Sequence, residues 1–543
     1  MKFRLSLLLA SVFFLYVCSF AVTPEAAAQQ RGGSLAYAEN ESVSVFNPYA
    51  LEQDRGASDR LFTLLYEGLI HYDYDREEAR PNLAQSWSAS GDEVVDRITF
   101  SLREDVVWHD GEPFTAEDVV FTYNYLINSD AVVNQGARQR YRQLIDRVEE
   151  VNKHTVTVHL REPRVNAVQY FQNWMLPAHA FEDNFLPAAG GPNLSREPIG
   201  TGPYAFVERR LNGNITLERF EDYWGDVAKV ADITMSRELD PSTMIIRAIG
   251  GNLDLIVETP PSQIGRLEQS GEFSLRAYQS LSFHGFGFNH RSEPMNDSAF
   301  REAIVKATNR EQLLRNWFEG KGELLGGPFA SGHSFFNPAV EPLPFDPAAA
   351  RRILDEAGYI DENGDGFRQM PDGSPLTIRF VTLVEEAATS TVHQNVASSF
   401  ETYAEDIGVR VEVDNRIRDE YLTSIFRDHD FDMAWVRWTF DPSYNISDLF
   451  HSEQSYAGGN NFVGYENPRV DDLIESFGSA EDPEQRRQLM YRVQEIIAED
   501  APYVFLYTID NYASMHYSVV MSRIDPYYFF SYFNQWYIDQ ELR

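Results

Sequence analysis

The chain has 543 residues, more than a single hydrophobic core accommodates, so two or more domains are expected. Its composition, 43% hydrophobic and 13% aromatic, is that of a large globular protein, and a formal net charge of −37 excludes a nucleic-acid polyanion as the expected partner. Only five of the 46 basic residues are lysine. A charged, lysine-poor surface suits either a saline habitat, where salt screens self-repulsion, or an acidic exported protein in ordinary medium.

The chain opens with Lys2 and Arg4, an apolar run from Leu5 to Phe20, and the small residues Ala26, Ala27 and Ala28. This pattern predicts a secretory signal peptide over residues 1–28, cleaved after Ala28. The apolar run is short for a membrane span, and no later stretch reaches ~18 consecutive apolar residues, so a soluble mature protein without membrane insertion is expected. Cys18 is the only cysteine. Tyr16 and Val17 precede it where lipoprotein processing requires small residues, so lipidation is not expected. After cleavage no thiol remains, which excludes disulfides and thiolate metal sites.

Helix starts are well marked downstream. Thr115 and Asp118 form a capping-box pattern before Val119, Tyr123 and Leu126. Asp346-Pro347 and Asp482-Pro483 each place an N-cap ahead of proline at the first helical position. The second of these opens a helix with Leu489, Val493, Ile496 and Ile497 on one face. Strands are predicted at Arg97–Leu102, Thr155–Leu160, Ile215–Phe220, Leu376–Leu383 and Val409–Val413. Strands interleaved with helices indicate α/β domains.

One acid stands out. Met433, Ala434, Trp435, Val436, Trp438 and Phe440 form an apolar, aromatic run that reads as a buried strand, and Pro442 stops its hydrogen-bond ladder. Asp441 lies between them. A carboxylate there is costly unless a cation meets it, supplied by the protein or by a ligand, or unless it caps its own turn before Ser443 and Tyr444.

Other motifs carry less. Asp361, Asn363, Asp365 and Gly366 imitate the start of an EF-hand loop, but the twelfth position is the shorter Asp372. Gly332-His333-Ser334 suggests a hydrolase nucleophile elbow, yet Phe336 replaces its second glycine. The twelve histidines show no HExxH pair. No metal or cofactor is expected.

Several spaced segments together resemble the large extracytoplasmic solute-binding proteins of the peptide/nickel class (family 5), which serve ABC importers. They are FNPYA at Phe46, LYEGLIHYD at Leu65, PNLAQSW at Pro81, and ITFSLREDVVWHDGEPFTAEDVVFTYNYL from Ile98. PIGTGPYAFVE at Pro198, LERFEDYWGD at Leu217 and GNLDL at Gly251 follow. FGFNHRSEPMND at Phe286, FDPAAARRILDEAGY at Phe345 and VGYENPRVDDLIE from Val463 complete the series. The resemblance implies an α/β, two-lobed periplasmic-binding-protein-like (type II) clamp with an inserted subdomain, three domains in all. Lobe I would combine residues 33–78, 199–290 and 501–543, with the insertion at 79–198, and lobe II would span 291–500. GTGPY falls where the chain re-enters lobe I, and its glycines suit a tight passage with unusual φ values. Trp108, His109 and Asp110 read as a turn before a capped helix, away from ligand.

The implied function is non-enzymatic capture of oligopeptides outside the cytoplasmic membrane, by a monomer, for delivery to the permease subunits of an ABC importer. In peptide-binding relatives an aspartate after a glycine-tryptophan pair receives the ligand's α-ammonium. Trp438-Thr439-Phe440-Asp441 matches that spacing, which transfers the role to Asp441. Such a charge-assisted bond contributes roughly 1.5–3 kcal/mol. Micromolar affinity requires about 8 kcal/mol, leaving backbone pairing and side-chain burial to supply the rest. The backbone pairing is expected from two extended edges, Arg437–Phe440 and Gln53–Gly56, the latter including Asp54, Arg55 and Gly56. Trp438, Phe440 and Tyr444 either line side-chain pockets or pack in the core. Arg437 stands where the family usually has glycine and is an internal competitor for Asp441. Dipeptide-specific members carry an arginine after the strand starting near Leu376, and Val384-Glu385-Glu386-Ala387 has none. A longer peptide or another polar solute, such as an oligosaccharide or less readily a nickel complex, therefore fits better than a dipeptide. A secreted hydrolase on the same scaffold is the remaining alternative.

Overall fold

The structure, a computed structural model, describes residues 32–543 apart from 41, 44, 51–55, 74–77, 92–94, 130–131, 133–134, 165–166, 182–184, 186–192, 239, 279–281, 385–388, 441–445, 481 and 525–528. The expected signal segment, Cys18 included, lies outside the described residues. Three sheets organise the molecule. The first has seven strands in the order Phe273–Tyr278, Asn511–His516, Leu255–Ile256, Ser34–Glu39, Asp232–Arg237, Ile215–Arg219 and Tyr204–Arg209. At its centre Ser34–Glu39 runs parallel to both neighbours. The second has six strands in the order Gly322–Leu324, Tyr503–Ile509, Ser282–Phe288, Met433–Thr439, Thr377–Val384 and Arg410–Ile417. A separate antiparallel sheet joins Ala84–Ala89, Val95–Leu102, Thr155–Arg164 and Ile145–Asn152, and the helix Ala116–Asn128 packs on it. This is the α/β clamp with an added unit.

Locally encoded features hold. Asp118 Oδ2 accepts from the Thr115 amide at 2.8 Å, and the side chains of Asp346 and Asp482 cap the helices Pro347–Glu356 and Pro483–Asp500. Val493, Ile496 and Ile497 are buried on the latter helix, with Leu489 packed beside them. All five predicted strands form, each within a few residues of the expected limits.

The sheet boundaries differ from expectation. Ser282–Phe288 and Tyr503–Ile509, both assigned from sequence to the first lobe, pair with each other, and Ser282–Phe288 also pairs with Met433–Thr439, so both are hydrogen-bonded into the second sheet. Sheet membership therefore changes between Tyr278 and Ser282 and between Ile509 and Asn511, not near 290 and 500. Both strands are almost wholly buried, and only pairing decides the sheet to which such a strand belongs. GTGPY also differs in its cause. Gly200 and Gly202 do not have positive φ; a β-carbon on Gly200 would overlap the carbonyl oxygen of Leu65, and one on Gly202 would lie 2.6 Å from that of Leu64. Close backbone approach, not backbone conformation, requires these glycines.

Candidate ligand-binding cleft

The strand Met433–Thr439 carries the site. On one side it pairs antiparallel with Ser282–Phe288 along its whole length, from Phe288↔Met433 to Ser282↔Thr439. On the other, the parallel ladder with Thr377–Val384 covers only Met433 and Ala434. The Trp435 carbonyl on that strand accepts the Tyr421 hydroxyl. From Val436 to Thr439 this edge has no strand partner among the described residues, so its backbone groups can pair with an added chain.

The side chains on that stretch divide. Arg437 and Thr439 are exposed, with Thr439 Oγ1 bonded to Ser282 Oγ at 2.7 Å, and Trp438 is half-buried against the second lobe's core. Phe440 is 4% exposed, its ring 4.9 Å from Phe329 and 6.0 Å from Phe283, so it is a core residue. Asp441, Tyr444, Asp54 and Arg55 lie outside the described residues. Gly56 is the exposed first residue of the helix Gly56–Leu65, so at that position the second expected edge is helical, not extended.

The charge of Arg437 acts on residues around both sheets, Glu258 and Tyr278 on one side and His284 and His393 on the other. Among the described residues its acidic neighbour is Glu258, just beyond the strand Leu255–Ile256. Burial pushes the Glu258 carboxyl up, but Arg60 and Arg437 together outweigh burial and hold it below the usual range. Burial raises the Tyr278 hydroxyl, Glu258 adds to that rise, and Arg437 opposes it.

Sequence reasoning missed a polar cluster behind Arg437. His284 is its direct cross-strand neighbour, and the His393 ring stacks 3.7 Å from Trp435 at 30°. His284 Nδ1, His393 Nδ1 and Trp435 Nε1 are buried without a hydrogen-bond partner among the described residues. Burial, and then the field of Arg437, lowers both imidazoles, His393 to about 4, so both are neutral at physiological pH. These residues come from three separated segments, and no local signal links them.

The other motifs resolve structurally. Asp361 takes the amides of Gly364 and Gly366 at 2.8 and 3.0 Å, and Asp372 takes that of Ser374 at 2.9 Å, so these carboxylates hold their own turns. Among the described residues, no group of three or more His, Cys, Asp or Glu is placed to hold a metal. His333 stacks on Phe329 at 3.9 Å and accepts the Phe335 amide, away from any nucleophile arrangement. Trp108 is fully buried, and His109 bridges to Gly200 and Gly202, so this turn locks the GTGPY passage.

The model of the bacterial extracellular solute-binding proteins, family 5, matches residues 78–458. The chain belongs to that family. Oligopeptide-binding protein AppA of Bacillus subtilis is 26% identical over 532 residues, covering 94% of each chain. The structure of AppA from Bacillus subtilis in complex with a nonapeptide superposes with a TM-score of 0.77 at 23% identity, covering 94% of this chain and 99% of that one. NikZ from Campylobacter jejuni in complex with Ni(L-His) reaches the same TM-score of 0.77 at 22% identity, with 93% and 99% coverage. This family 5 protein thus has the fold of relatives that hold a peptide and of relatives that hold a metal chelate, and the fold alone does not choose between those ligands. No helix among its described residues is long and apolar enough to cross a membrane.

Proposed function

We propose that this family 5 protein, exported by its N-terminal signal, captures oligopeptides between its two lobes and delivers them to the permease of an ABC importer without converting them. The observation that carries the peptide reading is the strand edge from Val436 to Thr439, which has no strand partner among the described residues. An extended peptide can add to it through backbone bonds that ignore ligand side chains, which gives broad specificity. Asp441, directly beyond that edge, receives the ligand's α-ammonium, and the part-exposed indole of Trp438 lines a side-chain pocket. Ligand bound to both lobes favours the closed state by its differential affinity. The rival is a metal chelate held by His284 and His393, whose Nδ1 atoms have no hydrogen-bond partner among the described residues. The field of Arg437, which disfavours a proton on either ring, disfavours a metal cation as well.

Mass spectrometry of ligand co-purifying with the native protein, followed by calorimetry with synthetic peptides of graded length, tests this reading. Stoichiometric, uncleaved peptide supports it; a metal chelate, an oligosaccharide or peptide fragments released at turnover would overturn it. Asp441→Asn is expected to weaken peptide binding by one to two orders of magnitude, corresponding to ~1.5–3 kcal/mol, with the fold intact.

A further inference from the structure

The open edge of the strand Met433–Thr439 is closed at its inner end by the protein itself. The Asp432 carbonyl accepts the Asn289 amide, whereas the adjacent Phe288 amide turns the other way, to the Pro502 carbonyl. Backbone groups alternate in direction along a strand. With the register Gly287↔Ala434, Gly285↔Val436 and Phe283↔Trp438, those of Ala434, Val436 and Trp438 therefore point toward Ser282–Phe288. Those of Trp435, Arg437 and Thr439 point toward the opposite edge. Three carbonyls are aimed along that edge, and the protein occupies the innermost.

Tyr421 is the occupant. It lies in the short helix Arg418–Leu422, which follows directly on the strand Arg410–Ile417 and packs on that strand and on Thr377–Val384. Those two strands stay paired to their ends, at Val384↔Ile417. The ladder between Thr377–Val384 and Met433–Thr439, by contrast, stops at Val381↔Ala434. Tyr421 is 7% exposed and belongs to the same buried cluster as Val381, Ala434 and Val436, so its ring fills the place where the two ladders part. Its hydroxyl donates to the Trp435 carbonyl, the first edge-facing carbonyl beyond the ladder. A carbonyl engaged in this way, behind a buried ring, is closed to a ligand amide. The Arg437 and Thr439 carbonyls have no partner among the described residues.

We infer that Tyr421 sets the register of the bound chain: it stops the added strand short of Trp435 and confines ligand amides on this edge to the carbonyls of Arg437 and Thr439. This rests on the oligopeptide reading and deepens it. An edge read through backbone groups alone repeats every two residues, so side chains do nothing to prevent a bound chain from slipping by that step. With the innermost carbonyl closed, a slip inward exchanges a satisfied ligand amide for one that faces an engaged carbonyl. The loss of that bond costs about two- to tenfold in affinity, which suffices to favour one register. Tyr421 is thus a positioning residue that acts on the ligand through the Trp435 carbonyl.

The test is calorimetry with one neutral peptide and a set in which each backbone amide in turn is N-methylated, which removes one donor and leaves every side chain unchanged. In the native protein two amides, two residues apart, are expected to be sensitive on this edge, each methylation weakening binding about threefold or more. Amides paired with the first lobe point the opposite way and fall at the intervening positions. In Tyr421→Ala, which removes hydroxyl and ring, a third amide two residues further along becomes sensitive by a similar factor. Tyr421→Phe keeps the ring and leaves the Trp435 carbonyl buried without a donor, so it is expected to lower the melting temperature while retaining the native map. That separates closing the edge from supporting the fold. A third sensitive amide at the next alternate position in the native protein would overturn the inference whether or not Tyr421→Ala folds. An unchanged map in folded Tyr421→Ala would overturn it as well, and both results leave peptide capture standing. Native binding indifferent to every N-methylation, or no binding of the peptide, would overturn the strand-addition reading and this inference with it.

Discussion

Arg140, in the helix Gln135–Leu144 of the added unit, reaches Asp448 of the second lobe, Nη2 to Oδ2, at 3.1 Å. The pair joins two units that share no sheet, and it sits three residues beyond the segment 441–445 that contains Asp441. Both side chains are about a quarter exposed, at 28% and 25%, so solvent screens their attraction.

Such a pair is worth at most ~1 kcal/mol. Arg140→Ala and Asp448→Ala are each expected to weaken ligand binding by up to about fivefold, with little change in the melting temperature of the ligand-free protein. A double-mutant cycle read by calorimetry checks this. A coupling of about 0.5 kcal/mol that vanishes at high salt is expected; strictly additive effects would mean the contact does not contribute to closure.

Gly200→Ala is expected to destabilise the protein by about 3 kcal/mol or more, because its β-carbon would overlap the Leu65 carbonyl, which cannot move without disturbing the end of its helix. Gly265→Ala is the control. Gly265 lies in the helix Pro261–Ser270 with nothing within 4 Å of an added β-carbon, so roughly 0.5–1 kcal/mol of stabilisation is expected there. Urea denaturation of both variants reads the contrast; similar stabilities would show that the passage relaxes.

Acid weakens the fold through its buried histidines. His109 Nδ1 accepts the Gly200 amide at 3.1 Å, and Nε2 donates to the Gly202 carbonyl at 3.0 Å, so the ring is held as one neutral tautomer. Burial lowers it from 6.5 to about 4, and lowers His290 and His333 to about 3. The unfolded chain binds these protons first. Their stabilising contribution is therefore complete above pH ~6.5 and is lost as pH falls toward 4 and below. His109→Asn, whose amide oxygen can replace Nδ1 as acceptor, is expected to flatten part of that decline in unfolding free energy; an unchanged slope would remove His109 from the set.

Glu67 works in the opposite direction. It takes the Tyr223 hydroxyl and the Trp224 indole N–H, each at 2.9 Å, yet burial still raises its carboxyl from 4.5 to about 7. Here the folded state binds the proton first, so the contribution is complete below pH 4.5 and is lost as pH rises through 7. Glu67→Gln keeps an acceptor for Trp224, and the Tyr223 hydroxyl can turn to accept from the amide. The variant is expected to equal or exceed the native protein in stability at pH 8, by about 1–3 kcal/mol, and to lose that advantage near pH 4.5. Thermal melts across that range check the crossing; a variant less stable at both ends would contradict it.

Features set by neighbours along the chain are legible in the amino-acid sequence. Asp346-Pro347 and Asp482-Pro483 cap helices because a cap and its amides lie within a few residues, and Thr115 with Asp118 works the same way. The α/β class and the strand Met433–Thr439 are also readable there. Local pattern fails where partners are distant. Ser282–Phe288 and Tyr503–Ile509 are buried on both faces, so nothing in their composition says which sheet they complete. GTGPY announces its glycines but not their cause, a carbonyl more than a hundred residues earlier.

By itself, the amino-acid sequence determined the α/β class and the strand that offers its edge, because those depend on short-range periodicity, and its spaced segments carried the family resemblance. Tertiary structure alone decided that Glu39 and Glu258 share the Arg60 guanidinium, that the charge of Arg437 helps hold the Glu258 carboxyl below its usual range, and that Phe440 belongs to the core. Each of these is a contact or field between segments far apart in the chain, and it exists only once the two sheets have placed those segments side by side.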